Sequence, residues 1–360
     1  MYLSSINIEN YRNIPAAIFK PDRHLSVVYG LNGQGKTNLL ESVYLLGSGR
    51  SFRTARVPDL IRHGQTTASV RGTVHSGGSE SSISIHLSGS VRKVAVDGKN
   101  IQSAADLQGR LPVVVFSPDD IAMVKLGPET RRRYLDRLLY SCNRRFLQQY
   151  HSYYRTLKQR NALLRSGSRS GLDEWTEQLV AAGIELIVCR RQFIENIALL
   201  FRDTYTRITE GREEVGLLYR PDLLPDEYRD RLEQGKEQDL RQGVTGRGPH
   251  RDDLQFLING RPLRLFGSQG QQRSFVLALK MVELHHLHGL FGDYPVLLLD
   301  DMASELDRRR IYNLLSFLRQ ERIQTILTTT DPDPLPAELF DSCSRFRVED
   351  GTPTYEEERR

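Results

Sequence analysis

Eight residues constrain this chain more than any others: Gly30-Leu31-Asn32-Gly33-Gln34-Gly35-Lys36-Thr37. They fit the spacing GxxxxGK[ST]. In that pattern glycines let backbone N–H groups wrap phosphates, the lysine reaches the terminal ones, and the threonine hydroxyl reaches Mg2+. The flanks supply the context the motif needs. LSVVY (25–29) is a compact apolar run that reads as a strand, and TNLLESVYLLG (37–47) has helical spacing up to Gly47. A phosphate loop between strand and helix points to an α/β fold, and all eight residues are expected to hold a nucleotide.

The rest of the chain falls into three textures. Residues 2–29 and about 68–116 read as strands, with alternation at Ile83, Ile85 and Leu87, an Asp97-Gly98 hairpin turn, and a buried run VVVF (113–116). From about 128 to 212, apolar residues recur at threes and fours on either side of RSGSRSG (165–171). That spacing predicts a long antiparallel helical hairpin whose first arm spans about 35 residues, or roughly 50 Å. A strand pair around Asn259-Gly260 follows, then helix (269–289), strand (295–299), helix (305–320) and strand (323–329). This last alternation marks a parallel, helix-covered sheet.

Two further motifs carry chemistry. The strand PVLLLDD ends in Asp300 and Asp301. Beside a phosphate loop, Asp300 is placed to orient Mg2+ with Thr37, and Asp301 to polarise an attacking water. FGSQGQQR (266–273) opens a helix, with Ser268 as N-cap and Gly270 allowing close backbone approach, so this helix start can also receive an anion. Lys36, Asp300, Asp301 and Ser268 are the expected catalytic group.

Together these motifs resemble the ABC-type ATPases of the SMC-like group. LSSINIENYRNI, LGSGRSFR (46–53), FSPDDIAMVKLGPETRRRYLD (116–136) and TGRGPHRDDL (245–254) resemble the RecF family within it, nearly end to end. The resemblance implies an ABC-type ATPase head with a mixed, largely parallel sheet, plus an inserted, mainly helical lobe. Residues 1–127 and 246–360 would form the head, and 128–245 a DNA-binding and dimerisation lobe. It further implies that Ser268 and Gly270 act on ATP held by a second copy, that Asp301 is the general base, and that Asp307 lies at the dimer seam. The implied task is recombinational DNA repair and replication-fork maintenance, within the SOS response. The protein would bind single-stranded, gapped or double-stranded DNA and help load recombinase, with RecO, RecR and RecA as partners.

Two positions depart from the ABC pattern. Thr330 stands where many ABC proteins have a switch histidine, and Ser117-Pro118-Asp119-Asp120 stands where a glutamine is usual. Both departures predict slow hydrolysis, which DNA is expected to stimulate. Arg12 and Asn13 fall where SMC-like proteins contact nucleotide, and Arg50 and Arg53 could touch DNA or a neighbouring subunit.

Charge adds a second surface. Residues 131–170 hold ten arginines and Lys158 against one acid, Asp136, a net +10 in a chain whose total is +5. Such a concentration is the electrostatic footprint of a polyanion. Arg131, Arg132, Arg144, Arg145, Arg155 and Lys158 are the expected DNA contacts, gripping phosphates without reading sequence. Of the 50 basic residues only eight are lysine, a ratio that a high-GC genome would produce as readily as selection for bidentate phosphate contact, the latter favoured within 131–170.

No apolar run approaches the roughly 18–20 residues that span a bilayer, and the first residues lack a signal-peptide pattern. Cys142, Cys189 and Cys343 stand far apart. A cytoplasmic protein without membrane attachment is expected. The competing readings are the nucleotide subunit of an ABC transporter, which has no use for the basic lobe, and a P-loop kinase, which has none for SQGQQR.

Overall fold

The computed structural model describes residues 1–101, 106–107, 109–142, 144–211, 213–302, 306–331, 335 and 343–356, and leaves the side chains of 140–144 undescribed. In chain order it opens with β1 (Tyr2–Tyr11), β2 (Ile14–Phe19), β3 (Leu25–Tyr29) and α1 (Lys36–Ser48). Strands β4 (Thr67–Ser76), β5 (Ser79–Ser88), β6 (Val91–Val96), β7 (Lys99–Asn100) and β8 (Val113–Phe116) follow. Then come α2 (Ala122–Lys125), α3 (Pro128–Cys142), α4 (Arg144–Ser166), α5 (Leu172–Thr209), β9 (Val215–Arg220) and α6 (Tyr228–Gln242). The remainder is β10 (Asp253–Ile258), β11 (Arg261–Pro262), α7 (Leu263–Phe266), α8 (Gln269–Phe291), β12 (Val296–Leu299), α9 (Arg308–Gln320), β13 (Thr325–Thr329), β14 (Ser344–Glu349) and β15 (Thr352–Glu356).

These elements form two compact units, one of residues 1–120, 207–209 and 273–360, the other of 121–206 and 210–272. The first holds two six-stranded sheets. One is antiparallel in the order β2-β1-β4-β5-β6-β7, and the other runs β15-β14-β3-β13-β12-β8, parallel except for β15. Helix α1 is buried over most of its length. Its Leu39, Val43 and Leu46 share one core with Leu3, Val70 and Ile85 of the first sheet and Val28, Leu298 and Ile326 of the second. Residues 39–46 are buried without a break, so the helix is enclosed on every side and the phosphate loop at its start is fixed to a rigid support.

In the second unit, β9, β10 and β11 form a small antiparallel sheet. The expected hairpin is there in altered form. Its first arm is two helices, α3 and α4, on either side of residue 143, and its second arm, α5, is a single helix of 38 residues. The boundary expected at 245 lies at 272 instead, because β10 pairs with β9 and so keeps 246–272 with the helices. Ser268 and Gly270 of FGSQGQQR therefore belong to the second unit, while Lys36, Asp300 and Asp301 belong to the first.

Candidate functional site

The chain leaves β3 at Tyr29 and turns through residues 30–35 into α1. Gly30 has φ 150°, and a Cβ there would stand 2.5 Å from the Val348 carbonyl oxygen; Gly35, the residue before the helix, has φ 106°. Neither position admits a side chain without strain. The first turn of α1 has no side-chain cap, so its N–H groups are directed at whatever the loop encloses. Lys36 Nζ donates to the carbonyls of Gly30 and Leu31 at 2.7 and 2.9 Å. Burial pulls its pKa below the ordinary lysine value, against the attraction of Asp301 and Asp300.

Asp300, at the end of β12, meets two hydroxyls. Thr37 Oγ1 donates to its Oδ1 at 2.9 Å and Thr328 Oγ1 to the same atom at 2.8 Å. Burial raises the Asp300 pKa, and these two hydrogen bonds oppose the rise. Thr37 and Asp300, expected from sequence to share a metal, are thus side by side. Their oxygens suit a hard cation such as Mg2+, which keeps several waters and takes phosphate oxygens as further ligands. Among the described residues no group of three or more His, Cys, Asp or Glu is assembled for a metal.

Asp301 follows with φ 50°, a left-handed conformation uncommon outside glycine, and its N–H donates to Thr328 Oγ1 at 3.0 Å. Thr328 therefore organises both acids, a role with no sequence signature beyond its place on β13. Thr330 is exposed just past that strand. Ser304 and Glu305 lie outside the described residues; Asp307 caps α9, accepting from the Arg310 N–H at 2.9 Å. In the stretch lacking the usual glutamine, Asp120 accepts from the Ser117 N–H at 2.8 Å and pairs with the buried Lys280 at 3.0 Å.

A residue with no motif of its own ties the loop's surroundings together. Glu41 on α1 is fully buried. It accepts from Arg12 at 2.9 and 2.7 Å and from the Ser51 hydroxyl, with Arg53 at 3.8 Å. Arg53 also donates to Asn38 at 2.8 Å, and Asn38 donates to Asn13 at 2.8 Å. Arg12, Asn13 and Arg53 thus support the phosphate-loop helix. A lone acid in the apolar run TNLLESVYLLG was the available signal.

Ser268 is the N-cap expected of it. Its Oγ accepts from the Gln271 N–H at 3.2 Å, while its own N–H donates to Gln271 Oε1 at 2.7 Å, a reciprocal capping box. Gly270 sits in the first turn of α8. Gln272 donates to the Gly267 carbonyl at 3.0 Å, which holds the preceding loop against the helix start.

The expected DNA contacts divide. Arg131 faces inward, its guanidinium on Asp253 at 2.8 and 3.1 Å and on the Leu126 carbonyl at 2.9 Å; this removes it from the surface set. Arg132 is half-buried and donates to the Asp252 carbonyl at 2.6 Å. The side chain of Arg144 lies outside the described residues. Arg145, Arg155 and Lys158 are exposed on α4. Arg160, within the same basic window, is fully buried on Asp239 and Thr245 at 2.7 Å each. The +10 of the window is therefore partly internal, balanced by acids that lie outside it in sequence.

A family model described as the RecF/RecN/SMC N terminal domain matches residues 2–350. The chain is 55% identical over 363 residues to the DNA replication and repair protein RecF of Trichlorobacter lovleyi, with 99% of each chain covered. It is 47% identical over 363 residues to the protein of that name from Geobacter metallireducens, covering 98% of this chain and 100% of the other. A solved structure of the recombination mediator protein RecF with ATP, in the RecFOR pathway, superposes with a TM-score of 0.87 at 31% identity, covering 99% of this chain and 98% of that one.

Proposed function

The chain belongs to the RecF family of DNA replication and repair proteins, and from that premise we propose that it is an ATP-controlled DNA-binding protein of recombinational repair. The observation that carries the ATP half of this reading is the meeting of Thr37 and Asp300 at 2.9 Å beside a glycine-lined phosphate loop. The full-length likeness, helical lobe included, supports the DNA half and leaves no support for a transporter subunit or a small-molecule kinase.

In this reading the amides of residues 33–37 bind the β- and γ-phosphates, and Lys36 leaves the carbonyls of Gly30 and Leu31 for phosphate oxygens. Thr37 and Asp300 hold Mg2+, which would supply charge neutralisation at the γ-phosphate. Asp301 takes the proton of the attacking water. Ser268 and Gly270 of a second copy close the site, so ATP joins two chains into a homodimer. A short carboxylate as base and Thr330 in place of an imidazole make turnover slow, with DNA stimulating it. Arg145, Arg155 and Lys158 grip the DNA backbone. The protein acts in the cytoplasm at single-stranded, gapped or double-stranded DNA, with RecO, RecR and RecA as partners.

Molecular mass in solution tests the reading. ATP with Mg2+ should convert monomer to dimer, and Asp301→Asn should hold the dimer longer by blocking hydrolysis. A chain that stays monomeric with saturating ATP would overturn it.

A further inference from the structure

Two places on the phosphate loop touch the same distant hairpin. At its first residue, Gly30 lies against the Val348 carbonyl of β14, close enough that a Cβ would stand 2.5 Å from the oxygen. At its fifth residue, Gln34 accepts two hydrogen bonds from the turn between β14 and β15. The Asp350 N–H donates to Gln34 Oε1 at 2.6 Å and the Gly351 N–H to the Gln34 carbonyl at 2.8 Å.

The turn is built to donate. Glu349 pairs with Thr352, leaving Asp350 and Gly351 as a two-residue connection with φ 48° and 79°. Positive φ at both central residues is the type I′ pattern, and the sequence Asp-Gly suits it. Both central N–H groups are used on Gln34. The turn is itself seated on the chain after β1: a Cβ on Gly351 would stand 2.8 Å from the Asn13 carbonyl oxygen and 2.9 Å from Ile14 Cα.

Peptide planarity turns this contact into a functional one. The carbonyl of Gln34 and the N–H of Gly35 belong to one trans peptide and point in opposite directions. Fixing the carbonyl on the Gly351 N–H aims the Gly35 N–H away from the hairpin, toward the side on which a phosphate would lie. We infer that Gln34 is a positioning residue, through which the β14–β15 turn orients the phosphate-binding amides of the loop. This rests on the proposed binding of ATP. The Gln34 side chain then serves the turn and not the nucleotide.

The test measures the Kd of ATP with Mg2+ by calorimetry on the full chain, together with the melting temperature of the nucleotide-free protein. Gln34→Ala removes the side-chain acceptor of the Asp350 N–H, loosening the turn that fixes the Gln34 carbonyl. It should weaken ATP binding about three- to tenfold, the size of one hydrogen bond, with a fall in melting temperature of at most about 4 °C. Gln34→Glu keeps an acceptor for the Asp350 N–H and should bind ATP more tightly than Gln34→Ala, although its carboxylate opposes the phosphates. Gly351→Ala, which displaces the turn from the other side, should weaken binding in the same sense as Gln34→Ala. Unchanged affinity in Gln34→Ala, or a loss with a fall in melting temperature above about 4 °C that Gln34→Glu does not lessen, would overturn the inference while leaving ATP binding intact. An unsubstituted protein that binds no ATP would remove the ATP reading, and the inference with it.

Discussion

Arg190 and Asp136, on α5 and α3, form a two-point ion pair from which water is shut out. Nε meets Oδ1 and Nη2 meets Oδ2, each at 2.9 Å, with side-chain exposures of 0% and 3%. A second carboxylate, Asp252, takes Nη1 at 2.8 Å and is also hydrogen-bonded by the Tyr219 hydroxyl. One guanidinium thus joins both helices to the segment that leads into β10. Burial raises the pKa of Asp252, opposed mainly by the charge of Arg190.

Removing that cation should be severe. Arg190→Met leaves two carboxylates enclosed without a counter-charge, and breaking a buried pair from one side costs about 3–5 kcal/mol. Urea unfolding would measure it. A loss below about 1 kcal/mol, the size of a surface pair, would show that water reaches the cluster.

DNA binding should separate the arginines by burial. Arg145→Ala, Arg155→Ala and Lys158→Ala together should flatten the slope of log K against log salt on duplex DNA by about 0.9 for each phosphate no longer neutralised, with ATP affinity unaffected. Arg131→Ala should lower stability through its tie to Asp253. A triple variant with an unchanged slope would place the DNA path elsewhere.

His250 should make the second unit sensitive to acid. Its Nε2 faces the Thr245 carbonyl at 3.0 Å, so that nitrogen carries the proton and Nδ1 accepts from the Tyr153 hydroxyl at 2.7 Å. Burial lowers its pKa to about 4. An unfolded histidine titrates near 6.5, so below that pH the unfolded chain takes up a proton the folded one refuses. Stability should therefore fall between about pH 6.5 and 4, by about 2–3 kcal/mol at the lower end. His250→Gln should flatten this part of the pH–stability curve, as measured by chemical denaturation; a curve no flatter would assign the acid sensitivity to other groups.

Asp300 gives the nucleotide site its own pH dependence. Its raised pKa means that the carboxylate takes a proton at a higher pH than an ordinary aspartate, and a protonated carboxyl is a poor Mg2+ ligand. The gain in ATP affinity on adding Mg2+ should shrink as pH falls, beginning at a higher pH than an ordinary aspartate would set. In Asp300→Asn that gain should be small at every pH. Calorimetric titrations with and without EDTA would check both, and a full gain in Asp300→Asn would exclude Asp300 as a ligand.

The legible parts of this site were those written in short stretches of sequence. Residues 30–37 carry their own strand, turn and helix signals, and PVLLLDD shows where its acids emerge. Ser268 and Gln271 form a box within four residues. What could not be read was held by partners far along the chain. Arg131 and Arg160 look like surface charge because Asp253 and Asp239 lie 122 and 79 positions away. Gln34 looks like another loop residue because its donor, Asp350, is 316 positions off. Periodicity reports which face of a helix is apolar, but it cannot say that an arginine on that helix has a buried acid waiting.

The place of β3 in its sheet bears on how the protein is made. It is an inner strand flanked by β13 and β14, which are synthesised about 300 residues after it. On the ribosome, the completed phosphate-loop strand has neither neighbour while the whole 121–206 and 210–272 unit emerges behind it. An apolar strand with both edges unpaired is prone to join other strands. Cells making this protein therefore have reason to shield residues 25–29 during synthesis, and the loop gains its contacts with Val348, Asp350 and Gly351 only at the end of it.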